Sequence, residues 1–191
     1  METIETLRNE HNGVLLVLDH LERAVRAAEG GVAVPKDIFA DVQEFFAIFV
    51  DRCHHGKEDA SIFPRLADTG AADLVQRLED EHATGRRLAA AYGAAMRAYV
   101  PGDAASGGRL AATSRDYAAF LRDHIELEDT GLFPAIEREL AGQDQALVAE
   151  FDRIETKEIG PGTHDRLHGM IDGLAERIDP WDQSAPMKNR L

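Results

Sequence analysis

Two eleven-residue segments of the chain align without a gap. His54-His55-Gly56-Lys57-Glu58-Asp59-Ala60-Ser61-Ile62-Phe63-Pro64 is matched, 70 residues later, by His124-Ile125-Glu126-Leu127-Glu128-Asp129-Thr130-Gly131-Leu132-Phe133-Pro134. Each copy carries His-x-x-x-Glu, and residues four apart lie about 40° apart around an α-helix, so each pair presents an imidazole and a carboxylate to one point. A Glu-His dipeptide also recurs, as Glu10-His11 and Glu81-His82, 71 residues apart. The candidate metal ligands are therefore His11, His54, Glu58, His82, His124 and Glu128. Such a nitrogen and oxygen donor set suits iron, manganese or zinc and, with bridging carboxylates, two ions; thiolate-seeking metals are disfavoured. The repeat also decides between neighbours. Glu58 can pair with His54 at i+4 or with His55 at i+3, but the matching positions are His124 and Ile125, so His54 is assigned to the metal. His55 is then expected to flank the site or to hydrogen-bond from outside it.

These residues have to be carried by helices. Apolar residues recur at three- and four-residue spacing and strict alternation is nearly absent. Ile4, Leu7, His11, Val14, Leu18, Leu21 and Val25 form one stripe, with a histidine at a core position. Gly30-Gly31 and Pro35 separate it from a second helix bearing Phe39, Phe46, Val50 and His54. A third carries Val75, Leu78, His82, Gly85, Ala89, Tyr92 and Met96, and Pro101-Gly102 through Gly107-Gly108 reads as a turn-rich connection. The fourth is expected from about Arg109 to Glu139, with Leu110, Tyr117, Phe120, Leu121 and His124 inward, and the Phe63-Pro64 and Phe133-Pro134 pairs are expected to end their helices. Four long helices with short connections predict an all-α, up-down-up-down four-helix bundle over residues 1–141, made of two repeated hairpins. Additional C-terminal helices are expected over 142–178, with Thr163 as an N-cap, and a loosely held tail over 179–191.

Composition narrows the function classes. The 191 residues carry 21 Lys and Arg against 35 Asp and Glu, a formal net charge of −14, and 44% are apolar. That is enough apolar content for one globular core, and the acidic balance argues against nucleic-acid and membrane-headgroup partners. The single Cys53 excludes an internal disulfide and a cysteine-rich zinc site. No apolar run approaches the roughly 20 residues of a membrane span. The first residues show no signal-peptide pattern, so a cytoplasmic protein, monomer or homodimer, is expected.

His11, His54-x-x-x-Glu58, His82 and His124-x-x-x-Glu128 resemble the hemerythrin-like, HHE cation-binding domains over roughly residues 5–140. The resemblance implies a four-helix bundle around a non-haem di-iron centre with two bridging carboxylates, Glu58 and Glu128 here. It further implies that the centre binds or reduces a small diatomic or peroxide: dioxygen, hydrogen peroxide or nitric oxide. Zinc or manganese suits the same donors. The chain departs from the oxygen carriers, whose third helix has His-x-x-x-His; the residues four before and after His82 are Leu78 and Arg86. His164, in the stripe with Leu167 and Ile171 on the last helix, is the candidate replacement, with His168 one turn on. The carriers also place a carboxylate five residues after the fourth-helix histidine, where Asp129 stands; the repeat favours Glu128. With one carrier ligand absent, sensing or detoxification is expected over oxygen storage. The alternative is an iron- or zinc-stabilised interaction or sensor module without turnover. Among other residues, His20 lies about 180° from His11 and should face solvent. Tyr117 and Cys53 read as core, and Arg86 as a salt-bridge partner or an anion contact.

Overall fold

In the computed structural model, residues 1–181 are described, apart from the side chains of Glu158, His164, Asp165, His168 and Asp172. The described residues are helical, with no strand. Helix α1 runs over Glu2–Glu29. Helix α2 spans 36–66 and is not uniform: Lys36–Phe45 is α, Phe46–His54 is π, His55–Lys57 is one α turn, Glu58–Ile62 is π again and Phe63–Leu66 returns to α. Helix α3 is Ala72–Ala98. Helix α4 spans 104–140, with α-helical Ala104–Leu127, a π turn at Glu128–Leu132 and α-helical Phe133–Leu140. Its partner α1 lies along it, α3 packs on its other side, and α2 packs on α3, closing the bundle.

The segment after the bundle forms α5 (Asp144–Ile154), a π turn (Glu155–Ile159) and α6 (Thr163–Ile178). Helix α5 lies on α1 and on the middle of α2, and α6 lies along α1 and the start of α2. The Asp144 carboxylate accepts from the backbone N–H of Glu2 and Thr3 and from the Thr3 hydroxyl at 2.6–3.1 Å. One side chain thus caps the open N-terminus of α1 and ties the later segment to it. The expected tail lies outside the described residues from 182 onward.

Two apolar clusters fill the bundle. One gathers Val14, Leu18, Phe39, Phe46, Tyr92, Tyr117 and Leu121 with Leu167 and Ile171 from α6. The other gathers Leu7, Phe63, Leu66, Leu78, Phe133 and Ile136 with Leu147 and Phe151 from α5. His11, His54, His82, His124, Glu58 and Glu128 are buried between the two. This burial is why the polar residues interrupt otherwise apolar stripes.

The helix boundaries and packing depart from the sequence expectations at four places. Gly107 and Gly108 lie inside α4, which starts at Ala104 with Asp103 accepting from Ser106 N–H at 3.0 Å. A Cβ on Gly107 would stand 2.2 Å from the Ala28 carbonyl, so this glycine serves close helix packing rather than a turn. Neither Phe-Pro pair ends its helix: each proline stands in the first turn of a new α segment, directly after a π turn. Proline's missing N–H falls where a helix start needs none. Gly162, with φ +76°, precedes α6, and Thr163 is its first residue, not its cap. His20 is buried, 8% exposed, because the later segment covers that side of α1; Arg23 beside it pairs with Asp179 at 2.5 Å.

Candidate metal centre

Four histidines converge from four helices, and each is aimed from behind. His11 Nδ1 lies 3.0 Å from Asp129, His54 Nδ1 2.8 Å from Glu10, His82 Nδ1 2.7 Å from Asp59 and His124 Nδ1 2.9 Å from Glu81. A carboxylate accepts only, so each Nδ1 is the N–H that donates, and the Nε2 lone pair is left pointing inward. The pattern is an exchange between repeats. In each Glu-His pair, Glu10-His11 and Glu81-His82, the histidine points into the site and the glutamate holds a histidine of the next helix. In each Glu-Asp pair the glutamate points inward and the aspartate holds the histidine of an earlier or later helix.

Glu58 and Glu128 are fully buried and lie between the two imidazole pairs. Glu128 Oε2 is 2.9 Å from His11 Nε2 and 3.8 Å from His54 Nε2, while its Oε1 is 3.0 Å from His124 Nε2 and 3.8 Å from His82 Nε2. Glu58 divides its oxygens in the same way, Oε1 at 3.9 Å from His54 Nε2 and Oε2 at 3.3 Å from His82 Nε2. None of these four carboxylate oxygens makes a hydrogen bond, nor do the Nε2 atoms of His82 and His124. His11 Nε2 and His54 Nε2 face each other at 3.1 Å with both Nδ1 protons already committed. Each unsatisfied buried group costs about 1–3 kcal/mol, and more when charged. Lone pairs converging in this way fit a cation between them.

The main correction to the sequence reading is His55. It is 3% exposed, stacks on His82 at 3.9 Å between ring centroids, and leaves Nδ1 buried without a partner. One ring nitrogen each from His55, His82 and His124 lie within 4.8 Å of one another. His55 therefore stands inside the site, not on its flank. A uniform step of about 100° per residue through both copies would turn His55 away from the site. The π winding of Phe46–His54, absent before His124, changes the register, so both neighbours face inward. Such π turns are frequent at functional sites.

The other groupings of possible donors are His11 with His54 and Glu128, and Glu58 with His82 and Glu128. The structure thus brings together all six repeat-derived residues. The side chain of His164, the seventh candidate, lies outside the described residues, as does that of His168. Asp129 is 41% exposed and holds His11 from outside, which leaves the inward place to Glu128. Phe133 stacks on His11 and Phe63 on His82, both at 5.3 Å, forming the apolar floor at equivalent positions. Arg86 is a salt-bridge partner, 3.0 Å from Asp51.

Charge in the site follows from burial and neighbours. Burial pulls His54 down, but Glu58, Glu10 and Glu128 outweigh it and lift it to about 10. His82 is likewise lifted to about 11 against burial by Asp59, Glu128 and Glu58. The surrounding carboxylates thus favour positive charge inside the cage. His55 is the exception: burial, then the charges of His82, His54 and His124, hold it well below its usual range, a neutral ring with a free lone pair. Cys53, beside the site, is inert, its thiol pushed up by burial to about 12.

The sequence profile of the hemerythrin HHE cation binding domain matches residues 2–136, and the chain belongs to that family. The domain that defines the family binds metal cations, typically iron, and the buried histidine and glutamate groups of this chain could hold one. Among curated proteins, the chain is 25% identical over 182 residues to uncharacterized protein Mb2018 of Mycobacterium bovis. The alignment covers 94% of this chain and 71% of that protein. The uncharacterized proteins MT2051 and Rv1995 of Mycobacterium tuberculosis match to the same extent. No solved structure matches the chain. No described helix is long and apolar enough to cross a membrane.

Proposed function

We propose that the protein holds two iron ions and uses them on a small oxidant, for sensing or detoxification. The observation that carries this reading is that Glu58 and Glu128 each turn one oxygen to the His11 and His54 side and the other to the His82 side, with all four oxygens otherwise unpartnered. His11 and His54 would hold one ion and His82 and His124 the other, with both carboxylates between them. His55 would supply the third imidazole of the second position, the role the sequence offered to His164. When bound, such a centre supplies binding or reduction of dioxygen, peroxide or nitric oxide.

The protein's own part is orientation and exclusion. Asp129, Glu10, Asp59 and Glu81 fix the imidazole tautomers and strengthen them as donors. Phe63 and Phe133 close one side against water. Three imidazoles at one position against two at the other leave the His11 and His54 position with fewer protein donors, and so with room for an exogenous ligand.

Elemental analysis with an ultraviolet-visible spectrum tests the reading on protein purified without added metal. Two irons per chain with near-ultraviolet charge-transfer bands, followed by optical changes of the reduced protein with dioxygen, peroxide or nitric oxide, are expected. One zinc per chain, without such bands, would replace the reading with a metal-stabilised interaction module.

A further inference from the structure

Next to the centre, on the side of α5, lies a charged group that the di-iron reading does not use. Lys57 is fully buried, and lysine is almost never so unless paired. Its ammonium donates to Glu10 Oε1 and, at 2.5 Å, to Glu155 Oε1 on the π turn after α5. Glu10 Oε2 in turn accepts from His54 Nδ1 at 2.8 Å. An unbroken line runs from Glu155 through Lys57 and Glu10 to a histidine of the centre. Cys53, Glu10 and Glu155 also come together closely enough to suggest a metal site, but the ammonium of Lys57 interacts with all three and is the cation there.

The second repeat has no such line. Leu127 stands where Lys57 stands in the first. Glu81, behind His124, pairs with Arg77 at 2.9 Å, but Arg77 is 63% exposed and Glu81 21% exposed. Water screens that charge, whereas a charge in the dry interior is felt several times more strongly. Glu155 is 28% exposed and one residue further from the histidine than Lys57, so it offsets the ammonium only in part.

We infer that Lys57 adds to the inequality of the two metal positions: its buried ammonium draws charge from the carboxylate behind His54 and so weakens metal binding at the His11 and His54 position further, relative to the His82 and His124 position. Glu155 sets how strongly it does so, which links the segment after the bundle to the metal centre. Lys57 is a positioning residue, acting through Glu10. The inference rests on the two-metal reading.

The test is stepwise loading of the metal-free, intact chain with cobalt(II), followed by visible absorption and calorimetry. Two resolved steps are expected in the unaltered protein. Lys57→Leu, which copies the second repeat, should bring the steps closer by about tenfold in affinity ratio, the scale of an outer-partner change. Glu155→Gln should spread them, because the ammonium loses a counter-charge, and Lys57→Arg should keep the original spacing. Opposite shifts from two variants on one line are not what a general loss of packing produces. If Lys57→Leu does not fold, Glu155→Gln and Lys57→Arg still decide. A single undivided step in the unaltered protein, or the same spacing in Glu155→Gln, would overturn the inference. Fewer than two cobalt ions per chain would instead overturn the two-metal reading.

Discussion

The two hairpins of the bundle repeat their site residues but differ at many of the positions between them, and two of those differences separate a dry half from a wet one. His11 matches His82, Glu10 matches Glu81, His54 matches His124, Glu58 matches Glu128 and Asp59 matches Asp129. The matched outer carboxylates hold the four histidines in the same way, with exchanged partners. The copies part at His55 against Ile125 and at Lys57 against Leu127. In the first half the carboxylate behind the α2 histidine is 3% exposed and held by a buried lysine. In the second half its counterpart is 21% exposed and held by a surface arginine. The matched residues build the cage, and the unmatched ones decide how unlike its two ends are.

The largest effect should come from the element common to both halves. Glu128 lies within 3.8 Å of all four repeat histidines, so Glu128→Ala removes a donor from both positions at once. Metal affinity should fall by more than the roughly 100-fold upper range of an outer-partner change, and metal analysis should find neither position filled. Retention of one tightly bound ion would mean that the halves do not share this carboxylate.

Removing the metal should expose the same dependence through pH. In the metal-free chain His54 and His82 are raised to about 10 and about 11, above their ordinary value near 6.5. A group whose folded value is raised contributes stability that is fully present below its unfolded value and is lost as pH rises through the folded one. The metal-free protein should therefore lose thermal stability progressively from about pH 6.5 to about 11, as neutral imidazoles leave Glu58 and Glu128 uncompensated. Metal-loaded protein should show a much flatter profile. Thermal melts at several pH values check this, and equal slopes would mean that the metal does not occupy the cage.

The two halves also differ inside the cage, at His55. His55→Ile gives the first half the aliphatic residue type of the second, and should weaken the His82 and His124 position about 10- to 100-fold while shifting its absorption bands. His164→Ala should leave metal content and spectrum as they are. The reverse result would return the third imidazole to the last helix.

The repeat in the sequence was enough to find the helical bundle, six converging residues and the cation-binding family. It worked because a four-residue step on a helix and a pseudo-twofold axis together determine which side chains can meet. The outer partners were also legible in principle: Glu10, Glu81, Asp59 and Asp129 repeat as faithfully as the ligand candidates beside them. His55 was hidden because a π turn changes the angular step and no residue pattern announces it. Lys57 was hidden because its neighbours Glu10 and Glu155 are far away in sequence, and an isolated lysine reads as surface. Gly107 shows the same limit, since its reason is the Ala28 backbone of another helix.

The smallest effect should come from the wet half, and it is the most exacting check on the comparison. Arg77 pairs with Glu81 one turn on along an exposed face of α3, the position in the charge pattern that Lys57 occupies in the other half. Exposed pairs of this kind contribute about 0.3–0.5 kcal/mol, so Arg77→Ala should shift thermal stability by no more than that and leave cobalt loading unchanged. Glu81→Gln is different, because the carboxylate itself fixes the His124 tautomer; about a tenfold loss at that position is expected. If Arg77→Ala instead moved the loading steps as far as Lys57→Leu, screening by water would not distinguish the two halves. The inequality of the metal positions would then have to be assigned to the third imidazole alone.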